Sequence, residues 1–421
     1  MKVLHLSAVD YGGAGTAALR LHRSLRVSGM DSRMLVLDSR SQEQHVYSLA
    51  GLSRTFSLRR LASKVYAKLA SRADYYFQLQ ETSIGIAASE LLKRSGFTPD
   101  IIVAHAMSNF LGPSDVLEFH QASAAPVVWH LLDMASLTGG CHYAWSCDGF
   151  EHQCESCPAL RWAPARKAAE LVWREKRRVL DKMRTAAVAA SSHLFAQAHH
   201  SSLFKGKQIE KILLGVDPEL FRPGQKDDAR RSLGLPLDKK IIFFGAQSLK
   251  ERRKGMSYML ATLENLAHLH SVRAQDVLLV TAGQEFALGP SNLIDFSHLH
   301  LGFLHGEARL ALAYRAADVF VCPSVEDSGP MMINESMMSG TPVVAFEMGV
   351  AGDLIVPGVT GEMAKLYDTS ALAEGIGRVL NASDEARLSM SKSARAHAMR
   401  LCDPTIQASN FSRLFATLLS G

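Results

Sequence analysis

Residues 318–361 read DVFVCPSVEDSGPMMINESMMSGTPVVAFEMGVAGDLIVPGVTG. Residues 317–323 form an apolar run that Pro323 ends, and Glu326-Asp327-Ser328-Gly329-Pro330 is a turn. A helix carrying Glu335 follows, Ser339-Gly340-Thr341-Pro342 stops it, and residues 343–346 are the next buried strand. Strand, helix and strand in that order predict a parallel α/β sheet. Carboxylates then flank a helix start at the carboxyl end of a strand, where open α/β sheets bind ligands. The exposed N–H groups of the helix start suit a phosphate. A carboxylate further along suits a ribose diol, because it accepts from both hydroxyls. Taken alone, such a pair of acids reads as a solvated helix residue and a loop residue. The Pro-Ser, Gly-Pro and Gly-Thr-Pro-Val-Val surroundings favour a site.

The segment resembles the signature of the retaining glycosyltransferases of family 4: two glutamates around a Gly/Pro loop, a small-residue turn and a Pro-Val-Val strand. The resemblance implies an α/β fold of the GT-B type, two Rossmann-like domains facing across a cleft. It assigns the nucleotide ribose to Glu335 and the donor sugar to Glu326. It sets the loop through Ser328, Gly329, Pro330 and Met331 against the sugar and diphosphate. The two glutamates stand one residue further apart than in the family, and Asp327 occupies the strict position, so either acid serves. A further match, Leu213-Leu214-Gly215-Val216-Asp217 with Phe221-Arg222-Pro223, resembles the family's interdomain element, with Leu214 in place of asparagine. The expected organisation is an acceptor-side domain over 1–205 with a Cys-rich insert at 138–160. A nucleotide-sugar-binding domain covers 206–400, and a C-terminal helix at 401–421 packs back on the first domain.

The chain of 421 residues is long enough for two cores. Its 47% hydrophobic and 21% charged content is that of an ordinary globular protein. A net charge of +5 is mild for this length and implies no nucleic-acid partner. No run is long and apolar enough to span a bilayer. The first residues look like the start of a signal peptide, but Asp10 and Gly12-Gly13 interrupt them, so they read as a first strand. The expected location is cytoplasmic, with peripheral contact at the cytoplasmic face of the inner membrane. Residues 52–72 motivate that contact. Arg54, Arg59, Arg60, Lys64, Lys68 and Arg72 occur there without an acid, and Leu58, Leu61, Val65 and Leu69 share a helical face. Such a helix suits an anionic membrane surface, or packs its apolar face on its own domain.

The opening strand, turn and helix of residues 2–28 put Gly12 and Gly13 where the family approaches the donor phosphates; any strand-to-helix turn also uses glycine for φ > 0. Strands at 100–105 and 126–132 end at His105 and just before Asp133. Relatives place a histidine where this chain has Leu132. His130, two residues earlier on the same strand face, either substitutes or is a core histidine. Asp133 fits the pattern directly as an acceptor or sugar contact, and His105 is a further candidate.

A sugar nucleotide needs positive charge to bind and to leave. After a strand ending at Gly245, the loop Lys250-Glu251-Arg252-Arg253-Lys254-Gly255 matches the family's cationic position. Lys254 fits well, and Arg253 takes the arginine role, shifted along the loop from the usual position at Gln247 or Ser248. A basic loop of this kind is otherwise a solvated surface. These cations and a helix N-terminus need no catalytic metal, and no Asp-x-Asp motif is present. Cys141, Cys147, Cys154 and Cys157 lie within seventeen residues. Their spacing suggests a structural zinc knuckle, with His142 and His152 as alternative ligands; an iron–sulfur cluster or disulfides are the other readings.

The implied function is transfer, with retention, of a sugar from a UDP- or GDP-sugar to a glycan or lipid-linked oligosaccharide in exopolysaccharide or lipopolysaccharide biosynthesis. A non-catalytic GT-B scaffold and a nucleotide-sugar epimerase are the alternatives.

Overall fold

The computed structural model describes residues 1–49, 54–78, 87–269, 272–284 and 296–420; Leu52 and Ser53 of the basic segment fall outside them. The chain divides into two compact units. The first comprises Met1–Leu213 and Gln407–Gly421, and the second comprises Leu214–Ile406.

The first unit holds strands β1 (Lys2–Val9), β2 (Asp31–Asp38), β3 (Val46–Ser48), β4 (Ile101–Ala104), β5 (Val127–Leu131), β6 (Thr185–Ala189) and β7 (Gln208–Lys211). They form one parallel sheet in the order β3-β2-β1-β4-β5-β6-β7. Helices cover both faces, so the strands read as continuous apolar runs. The strand period of two still sorts the side chains. Leu4, Leu6, Ile102, Ala104, Val127 and Trp129 enter one core cluster. Val3, Ile101, Val103 and Val128 enter another, together with Phe411, Leu414, Phe415 and Leu418 of the last helix, Pro404–Ser420.

The second unit contains β8 (Lys240–Ser248), β9 (Val277–Gln284), β10 (Ser297–His300), β11 (Val319–Cys322), β12 (Val343–Phe346) and β13 (Gly361–Ala364), parallel in the order β10-β9-β8-β11-β12-β13. Both sheets are doubly wound. The strand order reverses direction between β1 and β4 in one and between β8 and β11 in the other. At such a switch point the loops beyond the carboxyl ends part to leave a crevice.

The helix Arg54–Ala70 forms in the basic segment, and Leu58, Leu61, Val65 and Leu69 are all exposed on it. Packing of that apolar face on its own domain is therefore not what the structure shows. No helix among the described residues is long and apolar enough to cross a membrane.

Candidate functional site

At the β8/β11 switch point, the loop after β8 and the loop after β11 are bound together. Val325 N donates to Arg253 O at 2.9 Å. Gly255 makes the close approach possible. Its φ is +80°, and a Cβ there would lie 1.8 Å from Pro323 O. Only glycine tolerates both conditions without strain.

This join brings four charged side chains together. Lys254 Nζ lies 2.5 Å and Arg253 Nη1 3.1 Å from Asp327 Oδ2. Arg253 Nη2 lies 2.6 Å from Glu251 Oε2. Burial opposes ionisation of Asp327, but Lys254 and Arg253 outweigh it and hold the carboxyl below its ordinary range. Two cations and two carboxylates leave the cluster without net charge. Asp327 is thus committed to the cations, whereas the sequence leaves it interchangeable with Glu326. Glu326 is also buried, on the same loop.

The helix Met331–Met338 starts directly after Ser328-Gly329-Pro330, with Pro330 as its N-cap and no side-chain cap. Glu335 is 2% exposed, and its Oε2 accepts from Tyr314 Oη at 3.0 Å. Tyr314 is wedged against Phe243 and Phe320, with ring centroids 5.4 Å away in both cases. A buried carboxylate held by an aromatic hydroxyl is a fixed acceptor rather than a solvated helix acid. Asn334, next to it, donates to Leu214 O at 3.3 Å and Cys402 Sγ at 3.4 Å. The segment in which leucine replaces asparagine therefore contributes its backbone carbonyl. The structure thus gathers Arg253, Lys254 and Asp327 through direct contacts, and runs Ser328, Gly329, Pro330 and Met331 on into the helix of Glu335.

In the first unit, Gly12 has φ +69° at the turn after β1, and the helix Gly12–Val27 begins there. A Cβ on Gly13 would meet nothing within 4 Å, so the protein's own packing does not require glycine at that position. Asp10, just before the turn, accepts from Ser39 Oγ at 2.5 Å, Ser41 Oγ at 2.6 Å and Arg40 N at 2.9 Å.

His130 is 2% exposed, within the sheet. Its Nδ1 is 3.0 Å from His105 Nδ1, and His105 Nε2 is 2.8 Å from His5 Nδ1. Burial drops the pKa of His130 to about 3 and pushes those of His5 and His105 well below the ordinary value. All three rings are therefore neutral at pH 7. His130 reaches a small hollow shared with His105, Ser108, Leu132 and Asp133. Asp133 accepts from Ala135 N at 2.7 Å and pairs with His142 Nδ1 at 2.8 Å. Burial works against its charge, but His142, Ala135 N and Lys176 together outweigh burial, so its carboxyl lies below the usual range.

The insert begins where Lys176, 3% exposed, donates to Ala135 O at 2.5 Å and Thr138 O at 2.8 Å. Cys141, Cys147, Cys154 and Cys157 are free thiols. They line one cavity of about 590 Å³ together with Tyr75 and Trp173. Burial raises the Cys157 thiol to about 11 and also raises Cys141 and Cys154. Among the described residues, no group of three or more His, Cys, Asp or Glu is placed to hold a metal ion. The structure gives the expected zinc knuckle no support: the thiols share a cavity without converging. Sequence reasoning missed Tyr314, Glu251, Ser108 and the pairing of His142 with Asp133. No local signal marks the first three; the His142 pairing joins two residues that the sequence suggests for different tasks.

A buried carboxylate and an ion cluster stand at the switch point of a doubly wound α/β sheet, where that class binds ligands. Residues 225–397, most of the second unit, match the family model for Glycosyl transferases group 1. A D-inositol 3-phosphate glycosyltransferase from Mycolicibacterium paratuberculosis is 32% identical over 201 residues, 45% of this chain and 43% of the relative. The chain thus spans less than half the length of this curated relative. Sucrose-phosphate synthase from Thermosynechococcus elongatus aligns over 100% of this chain and 99% of its own, with TM-score 0.68 and 18% identity. Anabaena HepE, in complex with UDP and glucose, aligns over 99% and 100%, with TM-score 0.64 and 18% identity. The fold is GT-B.

Proposed function

We propose that the chain is a retaining glycosyltransferase that moves a sugar from a UDP- or GDP-sugar to a glycan or lipid-linked acceptor in cell-surface polysaccharide assembly. The observation that carries this reading is the buried Glu335, held by Tyr314 one helix turn beyond the loop at the β8/β11 switch point. In this reading Glu335 accepts from the ribose hydroxyls and Glu326 faces the sugar. Lys254, Arg253 and the start of the helix Met331–Met338 bind the diphosphate. Gly12 and Gly13 leave the backbone of the turn after β1 open to a phosphate. The sugar's C1–oxygen bond breaks with its electron pair going to the nucleoside diphosphate. The acceptor oxygen bonds C1 from the same face, and its proton passes to the leaving phosphate. The UDP carried by the Anabaena protein supports a nucleotide donor. The exposed Leu58, Leu61, Val65 and Leu69, on a segment whose charges are all basic, support contact with an anionic membrane at the cytoplasmic face.

The test is the melting temperature of wild type, Glu335→Gln and Glu335→Ala with UDP, GDP, ADP and their sugar conjugates. One nucleotide at a hundred times its Kd is expected to stabilise the wild type by about 2.7 kcal/mol. Both variants are expected to lose most of that gain. No shift with any nucleotide would overturn the proposal in favour of a non-catalytic scaffold. Release of free sugar without an acceptor would favour an epimerase.

A further inference from the structure

We propose that His142 is the residue that binds the acceptor's reacting hydroxyl, and that Asp133 is the positioning residue that fixes its tautomer. The inference rests on the transferase reading and adds to it a residue of the acceptor site. Asp133 follows β5 closely, and the carboxylate spans two donors: Oδ1 takes Ala135 N and Oδ2 takes His142 Nδ1. An ionised carboxylate only accepts, so Nδ1 presents its N–H to Asp133, and in the singly protonated tautomer Nε2 presents a lone pair. The backbone that carries the ring is held on both sides. His142 N donates to Tyr75 O at 3.1 Å, and His142 O accepts from Met134 N at 3.1 Å.

The Nε2 lone pair is aimed at a hydroxyl. Ser108 Oγ lies 3.2 Å away, on the loop that follows β4. Ser108 and Asp133 border the small hollow at the carboxyl ends of β4 and β5, next to the β1/β4 switch point. The side chains of His142 and Asp133 remain 13% and 16% exposed. They are therefore more open than His130 and His105, which are 2% and 3% exposed. An acceptor sugar hydroxyl entering here replaces Ser108 as the donor to Nε2. That hydrogen bond orients the hydroxyl oxygen before it attacks; as the bond from the sugar to the diphosphate breaks, the hydroxyl proton turns from Nε2 to the leaving phosphate. Leu132 offers no polar atom for this task, and His142 reaches the neighbourhood from the insert instead. The insert thereby acquires a purpose independent of any metal: it carries the acceptor-binding imidazole.

The same three residues have the connectivity of a Ser-His-Asp triad, so the test must separate a hydroxyl place-holder from a nucleophile. The assay uses the full chain, the nucleotide sugar whose nucleotide raises the melting temperature, and octyl glucoside and octyl galactoside as acceptor probes. His142→Ala is expected to lower kcat/KM for the acceptor by about ten-fold or more, with the nucleotide-induced thermal shift unchanged. His142→Gln, whose amide oxygen can take the place of Nε2, is expected to recover much of that loss. Asp133→Asn allows the other tautomer, so acceptor kcat/KM is expected to fall while donor KM holds. Ser108→Ala removes the competing hydroxyl and is expected to lower acceptor KM. Equal acceptor kinetics in wild type and His142→Ala would overturn the proposal, as would covalent labelling of Ser108 by a fluorophosphonate. A wild type with no nucleotide-induced shift would instead mark failure of the transferase reading, and this proposal would fall with it.

Discussion

Replacing Lys254 by alanine is expected to lower kcat/KM for sugar transfer by about 10²–10³-fold, the range seen when one preorganised charge-stabilising donor is removed. The leaving diphosphate gains negative charge as the bond to the sugar breaks, and a cation fixed in a buried setting costs no reorganisation at that moment. Lys254 is fixed in this way. Its backbone N donates to Glu251 O at 2.9 Å, and the following Gly255 presses against Pro323. Yet Lys254 is already paired with Asp327, so a merely structural role must be distinguished. Asp327 retains Arg253 in the single variant, and the fold is expected to survive. The double variant Lys254→Ala, Asp327→Asn removes one cation and one carboxylate and keeps the cluster neutral. If Lys254 served only to neutralise Asp327, the double variant would regain activity. The expected result is that it does not. Lys254→Arg is expected to rescue poorly, because a planar fork does not replace a compact ammonium in a close-packed loop. A Lys254→Ala enzyme within a few-fold of wild type would sink the assignment.

That cluster also shows where sequence reading stops. The strands could be read because a parallel sheet covered on both faces demands continuous apolar runs, and residues 241–244, 319–322 and 343–346 supply them. Gly255 and the basic loop were also legible. The partner of Arg253 was not: Asp327 lies 74 residues away in the chain, and only the β8–β11 pairing brings the two loops together. The ambiguity between Glu326 and Asp327 has the same origin. Spacing alone cannot tell which acid turns toward the cations. For His142 and Asp133 the obstacle was different. They lie nine residues apart, but the neighbouring cysteines draw His142 into a metal pattern, and nothing local shows that its Nδ1 faces a carboxylate. The thiols illustrate the converse: a suggestive spacing fixes contour length, not convergence, and here the chain folds them around a cavity. The basic helix was recognisable from its period, but whether its apolar face finds a partner depends on the whole unit.

Asp318→Ala is expected to destabilise the second unit by about 3–5 kcal/mol, the cost of leaving a buried partner charge uncompensated. Asp318 stands just before β11, and three donors from two elements, the helix Lys226–Leu233 and β8, converge on its carboxylate. Arg230 Nη2 lies at 2.8 Å, Lys226 Nζ at 2.6 Å, and Ile241 N, at the start of β8, at 2.7 Å. Arg230 is shielded from water: its side chain is 5% exposed, and its Nε and Nη1 donate to Ala316 O and Leu237 O. Asp318→Asn keeps an acceptor for Ile241 N but loses the charge, so a smaller loss is expected. Burial opposes the charge of Asp318, while Lys226, Ile241 N and Arg230 outweigh burial and depress its folded pKa. The unfolded chain therefore binds this proton more readily. The stabilisation is complete above the unfolded value near pH ~4 and disappears as pH falls through the folded one. The difference between wild type and Asp318→Ala is accordingly expected to be widest at neutral pH and to narrow in acid. Urea unfolding can locate the effect, because Trp129, Trp145, Trp162 and Trp173 all belong to the first unit. Circular dichroism follows both units, and tryptophan fluorescence follows the first. The expected result is a circular-dichroism transition moved to lower urea, with the fluorescence midpoint displaced less. An unchanged circular-dichroism midpoint at pH 7 would show that Asp318 does not hold β8 and β11 together.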